Sequence, residues 1–250
     1  MSSARVIAHA QGFTCELGDG AYALFTTRAA GNLSTAGGER SEHGRAARDR
    51  LCEQLGLRWL CASRQVHGSD VLRIDTAERR GGEALALDAD GHATAAVGIG
   101  AMVLAADCLP VALAGGRGVA MVHAGWRGLA AGVLEQGVRA LRDVGGGQAV
   151  IAAIGPSAGV CCYEVGPEVH EALGARASGA GRKNGQGGER ERAHERGKID
   201  LHAIARERLL AAGVVEVLDV EACTICDARF FSHRRQGERA GRQAGVAWRV

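Results

Sequence analysis

The stretch DADGHATAAVGIGAMVLAADCLPVALAGGRGVAMVHAGWRG, residues 88–128, decides the fold. Its apolar runs AMVLAA, VALA and GVAMVHA have strand length and are separated by polar or glycine breaks, a pattern that suits buried strands. Downstream, the spacing predicts a helix over residues 130–141 despite internal glycines, and QAVIAAIGP, 148–156, returns to strand character. Upstream, WLCASRQVHGSDVLRID, 59–75, reads as strand, break, strand, with the break at His67-Gly68.

Farther out, Tyr22–Arg28 has strand character and runs into the loop AAGNLSTAGG, after which SEHGRAARDRLCEQLGL, 41–57, carries Ala47, Leu51, Leu55 and Leu57 at partly helical spacing, with Gly56 as a terminator. Residues 178–198 contain no apolar side chain larger than alanine and a dense run of charge, which predicts an exposed loop. In 199–214, Ile199, Leu201, Ile204, Leu209 and Leu210 spread as on a helix that ends near Gly213, and VVEVLDVEACT, 214–224, reads as a strand before a polar tail. No repeat of solenoid or propeller period occurs, and no G-x-G-x-x-G follows a strand, so a Rossmann domain is disfavoured. The expectation is a mixed α/β (α+β) fold: one compact domain over residues 1–250, with mixed, partly antiparallel β-sheets flanked by helices.

Composition narrows the function. The 30 Lys and Arg against 28 Asp and Glu leave a net charge of +2, too weak a field to hold a nucleic-acid backbone or an anionic membrane. The opening MSSARVIAHAQGF lacks the continuous apolar core of a signal peptide, and no apolar run reaches the ~18 residues of a membrane span. Eight cysteines in 250 residues fall short of a secreted disulfide scaffold and read as thiols of a reducing compartment. These points predict a cytoplasmic protein acting on a small molecule, as monomer or homodimer, with no nucleic-acid or membrane partner.

Three segments put reactive side chains at the ends of apolar runs: RQVHG with His67, AADCLP with Cys108 and VHAGWRG with His123. Two imidazoles and a thiolate are a sensible zinc set with a fourth position for water or substrate. The same residues suit a Cys-His hydrolase, and they also suit ordinary buried or loop roles, since their spacing matches no compact metal signature. Asp90 and Asp107 could each orient an imidazole or handle a proton, or simply satisfy a turn.

Taken together, TTR at 26–28, RQVHG at 64–68, AADCLP at 105–110, VHAGWRG at 122–128, GPSAGVCCYEVG at 155–166, DL at 200–201 and CTICDARFFSHRRQGERAGRQ at 223–243 resemble the YfiH/DUF152 family. That family is also called the polyphenol oxidoreductase or laccase-domain family, and the likeness extends over nearly the whole chain. It implies that His67, Cys108 and His123 form a metal-binding active centre holding zinc, with copper possible. It further implies a purine nucleoside enzyme that phosphorolyses adenosine, inosine, guanosine or methylthioadenosine to base and (methylthio)ribose-1-phosphate, and deaminates adenosine. For deamination, metal-activated water would attack purine C6, with Asp107 among the catalytic candidates.

Phosphorolysis needs a phosphate site, for which Arg28, Arg48, Arg127, Arg234 and Arg235 are the arginine candidates, and Trp126 could stack on the purine. Cys161 and Cys162 read as packing or pocket-wall groups, with Tyr163 and Glu164 as weaker polar candidates. The C-x-x-C of Cys223 and Cys226 lacks a second C-x-x-C to complete a four-thiolate site and reads as incidental thiols. The chain departs from the family in its abbreviated loop AAGNLSTAGGERSE, which weakens any substrate role for Asn32 or Ser34. Nine histidines with no H-x-H pair argue against a multicopper oxidase. The competing classes are a Cys108-His123 hydrolase acting on an amide or peptidoglycan-precursor peptide, and a non-enzymatic metal-binding module.

Overall fold

A computed structural model describes residues 4–36, 39–74, 85–147, 149–174 and 196–250. Strands β1 (Arg5–His9), β2 (Gly12–Glu16) and β3 (Ala21–Thr26) form an antiparallel meander, followed by helix α1 (Glu39–Leu55). Next come β4 (Trp59–Cys61), β5 (Ser63–Arg64), β6 (Val71–Ile74), β7 (Leu85–Asp88) and β8 (Gly91–Thr94). The apolar runs within residues 88–128 form β9 (Ile99–Ala105), β10 (Leu109–Gly115) and β11 (Gly118–Ala124), leading into α2 (Trp126–Ala130) and α3 (Val133–Gly145). After them lie β12 (Val150–Ile154), β13 (Glu164–Val165), α4 (Pro167–Ala172), β14 (Gly197–Lys198), α5 (Leu201–Ala211), β15 (Val214–Asp219), α6 (His233–Gln236) and β16 (Gln243–Arg249).

Two six-stranded mixed sheets result, ordered β1-β2-β3-β16-β9-β4 and β15-β12-β10-β11-β8-β6. Only their outer pairs β4/β9, β12/β15 and β6/β8 are parallel; the other pairings in these sheets are antiparallel. The apolar runs of the central strands are explained by the layering. On β9, Ala101 and Val103 face the second sheet while Met102 and Leu104 face α1; on β11, Val119 and Met121 face the first sheet while Val122 and Ala124 face α3. Each sheet is thus covered on both faces, which removes the polar alternation of a half-exposed antiparallel strand. The layer between the sheets is rich in alanine (Ala23, Ala101, Ala112, Ala153 and Ala247), so the sheets pack closely around Phe25 and Met121. Complete burial of Phe25 alone stabilises the fold by about 1.5–3 kcal/mol.

Differences from the sequence reading have local causes. The helix expected over 130–141 starts at Val133, because Gly132 takes a left-handed conformation (φ +82°) that ends α2 and caps α3. The expected loop at 178–198 lies outside the described residues except for its end, where Gly197–Lys198 pair antiparallel with Glu164–Val165. The polar tail conceals β16, which sits in the middle of the first sheet between β3 and β9. Among the described residues no helix is long and apolar enough to cross a membrane.

Candidate metal centre and adjoining cleft

Four chain segments meet at one end of the second sheet. Cys108 immediately precedes β10, and the register Pro110↔His123 sets the end of β11 beside it. Asp90 precedes β8, which pairs with β11, and His67 lies in the loop entering β6, which pairs with β8. The structure therefore brings His67, Cys108 and His123 together: one ligand atom from each lies within 4.8 Å of the others. The thiol sulfur is 3.8 Å from His67 Nε2, and the two imidazoles meet edge to face at 4.9 Å between ring centres.

The arrangement is held by groups that leave it little freedom. His123 Nδ1 donates to Asp90 Oδ1 at 2.8 Å, leaving Nε2 free to act as a ligand. The Asp90 carboxylate also accepts the backbone N–H groups of Val66, His67 and Gly68 at 3.1, 3.0 and 2.7 Å, so one buried side chain fixes one histidine directly and the loop of the other. His67 has φ +60°, left-handed backbone that costs a non-glycine residue about 1–2 kcal/mol and is sustained by its bond to Asp90, and Asp107 has φ +92°. A Cβ on Gly125 would lie 2.9 Å from His67 Cδ2 and 3.1 Å from the Cys108 sulfur, so only glycine lets the chain pass behind both groups.

Electrostatics match the donor set. Burial pushes the Cys108 thiol up, but His123 and His67 outweigh it and bring the thiol down to about 6. Burial likewise works against charge on His123, yet Cys108 and Asp90 raise it to about 9. Asp90 is held below the ordinary carboxylate range: desolvation opposes this, but His123 and the Gly68 and Val66 amides prevail. Without an ion, the Cys108 thiolate faces the His123 imidazolium; once the Nε2 proton of His123 is displaced, a thiolate and two imidazoles fit zinc or copper by chemistry and by spacing.

Beside this cluster opens a cleft of about 220 Å³ lined by Trp126, Arg127, Tyr163, Glu164, Arg196 and Arg234, among others. His67, Cys108 and His123 do not themselves line it; the link is the chain, since Trp126 directly follows Gly125, whose backbone passes behind His67 and Cys108. The Arg127 guanidinium covers one face of the Trp126 ring at 4.2 Å, and that of Arg234 lies 5.1 Å from the Tyr163 ring centre.

The other candidates separate. Asp107 is no free proton carrier: its carboxylate accepts Thr224 Oγ1 (2.7 Å), Ser232 Oγ (3.1 Å) and the Arg234 amide (2.7 Å), which ties the C-terminal segment to the β9–β10 turn. Orientation of the imidazole falls to Asp90 instead. Arg235 donates to the backbone carbonyls of Thr224, Ile225, Asp227 and Phe230 and does not line the cleft. Arg48 is buried and donates to the Leu33 carbonyl, and Arg28 packs on Phe231; neither lines the cleft. Asn32 accepts the amides of Ser34 and Arg242, a structural use.

Two groupings escaped the sequence reading. Ser157, His202 and Asp219 line up at 2.7 and 2.8 Å in nucleophile-base-acid order, but Ser157 is 0% exposed, and the chain of bonds serves to tie α5 to β15. Cys161, Cys162, Cys223 and Cys226, read as wall groups and incidental thiols, gather with all four sulfurs within 4.8 Å of one another. An adjacent pair completes the set that a second C-x-x-C would otherwise supply.

Residues 12–250 match the family described as multi-copper polyphenol oxidoreductase laccase. A purine nucleoside phosphorylase of Xylella fastidiosa (strain Temecula1) is 41% identical over 232 residues, covering 87% of this chain and 83% of that one. Purine nucleoside phosphorylase YfiH of Escherichia coli (strain K12) is 35% identical over 230 residues, covering 88% and 86%. Among solved structures, a Neisseria meningitidis protein of DUF152 superposes with a TM-score of 0.76 at 30% identity, covering 99% of both chains. YlmD from Geobacillus stearothermophilus does so with a TM-score of 0.78 at 28% identity, covering 98% of both.

Proposed function

The chain belongs to the YfiH/DUF152 family, described as multi-copper polyphenol oxidoreductase laccases, and on that premise we propose that it is a metal-dependent purine nucleoside phosphorylase that also deaminates adenosine. The observation that carries this reading is the meeting of His67, Cys108 and His123 beside Gly125, which leads directly into Trp126 and the cleft furnished with an indole and guanidinium groups.

In this reading His67, Cys108 and His123 hold zinc, or copper in its place, and Asp90 keeps His123 in the tautomer that presents Nε2. The bound ion would supply Lewis acidity and a water that ionises near neutral pH, the requirement for attack at purine C6. Among the described residues, Glu164 and Glu168 are the carboxylates lining the cleft, and a carboxyl there could pass a proton to the departing ammonia. Phosphorolysis draws on other residues. Arg127 and Arg234 pair with phosphate oxygens for attack at ribose C1′, while the purine base meets the part of the Trp126 ring that lines the cleft.

The test is product analysis on metal-quantified protein given adenosine with and without phosphate, beside Cys108→Ala. Phosphate-dependent adenine with ribose-1-phosphate, and phosphate-independent inosine, are expected from the wild type, and neither from the variant. Absence of adenine, inosine and hypoxanthine from metal-loaded wild type overturns the reading.

One observation favours a second reading: Cys108, His123 and Asp90 stand in the order of a cysteine hydrolase, with the thiol already acidified. That activity would survive strict metal removal and leave a trappable thioester on Cys108, whereas the nucleoside reactions would stop and return with metal.

A further inference from the structure

We propose that Cys161, Cys162, Cys223 and Cys226 together bind one zinc ion, a second metal site distinct from the one at Cys108. Tetrahedral zinc with Zn–S bonds of about 2.3 Å places its sulfurs about 3.8 Å apart. The Cys161 and Cys226 sulfurs are 3.8 Å apart, and all four lie within 4.8 Å of one another. A disulfide would account for only two sulfurs at a time, at about 2.05 Å, and would leave the convergence of the other two without a reason. A cluster of several irons interposes inorganic sulfide and spreads its cysteines more widely. Among the described residues the cluster offers four thiols and no nitrogen or oxygen donor, the composition of a structural zinc site.

The surrounding backbone is shaped for thiolates. The Gly159 amide donates to the Cys223 sulfur at 3.3 Å, and the amides of Ile225 and Cys226 are directed at the same atom, as the turn of a C-x-x-C wraps back on its first cysteine. A Cβ on Gly159 would stand 3.3 Å from the Cys223 sulfur and 3.4 Å from that of Cys161, so the chain passes these sulfurs at the distance only a glycine allows comfortably. The two halves are joined by an isolated bridge: Ser157 N donates to Ala222 O at 3.1 Å, and Thr224 N to Ser157 O at 2.8 Å. Arg235, bonded to the carbonyls of Thr224, Ile225 and Asp227, braces the turn and sets a positive charge beside a site that would carry net negative charge when filled.

The position gives the site a purpose. Thr224, inside the C-x-x-C, donates to Asp107, the residue before Cys108. An ion holding this turn would hold the support of the β9–β10 turn, and so position Cys108 from a distance.

The metal count rests on the ion proposed at Cys108, but not on the nucleoside chemistry. Untagged full-length protein purified in reductant is expected to hold two zinc ions per chain, Cys161→Ser/Cys226→Ser one, and Cys108→Ala one. X-ray absorption on Cys108→Ala is expected to show an all-sulfur shell at about 2.3 Å. The proposal is overturned if the double-serine variant holds as much zinc as wild type, if iron or copper replaces zinc, if the reduced protein carries a disulfide among the four, or if the Cys108→Ala zinc has nitrogen or oxygen ligands. The absorption measurement decides even if the double-serine variant fails to fold.

Discussion

His123 Nδ1 donates to Asp90 Oδ1 at 2.8 Å, with the two side chains 4% and 0% exposed. The same carboxylate holds three successive amides of the loop carrying His67. One aspartate therefore sets both histidines of the cluster. Asp90→Asn keeps the size but loses the charge and the fixed tautomer, and is expected to weaken zinc at the Cys108 site about 10- to 100-fold. Chelator competition would check this, and unchanged affinity would refute the role of Asp90.

Gly125 is the point of closest approach behind the cluster. In Gly125→Ala the added methyl displaces His67 or the Cys108 sulfur, so zinc at that site and nucleoside turnover should fall together while the melting temperature changes little. A variant with full zinc content and full turnover would show that the backbone gives way freely.

The metal-free protein should reveal the acidified thiol. Cys108 lies near 6 against an ordinary 9, so it is protonated and inert below that pH and a thiolate above it. Alkylation of the Cys108 peptide, followed by mass spectrometry, should rise with a midpoint near pH 6, move upward in His123→Ala, and be suppressed by added zinc. A midpoint near 9 in the wild type would contradict the proposed pairing of thiolate with imidazolium.

Arg127→Ala and Arg234→Ala should each raise the KM for phosphate by about tenfold, the worth of one charge-assisted bond. Phosphate-independent inosine formation should be largely spared. Equal loss of both reactions would place these arginines in general support of the cleft.

Asp107→Ala leaves Thr224, Ser232 and the Arg234 amide without their acceptor. A loss of about 2–3 kcal/mol in denaturant unfolding is expected. Wild-type stability with lost turnover would instead point to a chemical role.

Asp90 and Asp107 look alike in the sequence, each beside an apolar strand, and the resemblance directs attention to the one next to Cys108. Backbone direction separates them. Asp107, at φ +92°, turns its carboxylate toward residues 224–234, whereas Asp90 enters β8 beside the end of β11, where His123 waits. The same limit explains β16: Gln243–Arg249 is short and broken by glycine, and its place between β3 and β9 rests on partners more than 130 residues away in the chain.

Residues 88–128 alone settle the strands, their turns and the placing of Cys108 and His123 at strand ends, because side-chain alternation and turn chemistry act over a few residues. The family motifs carry the same stretch to His67. Which ends meet is decided by sheet registers and layer packing, interactions between residues far apart in sequence that no local pattern encodes. Those non-local contacts bring Asp90 to His123, and they bring Cys161 and Cys162 to a C-x-x-C more than 60 residues later, turning apparently incidental thiols into one four-sulfur cluster.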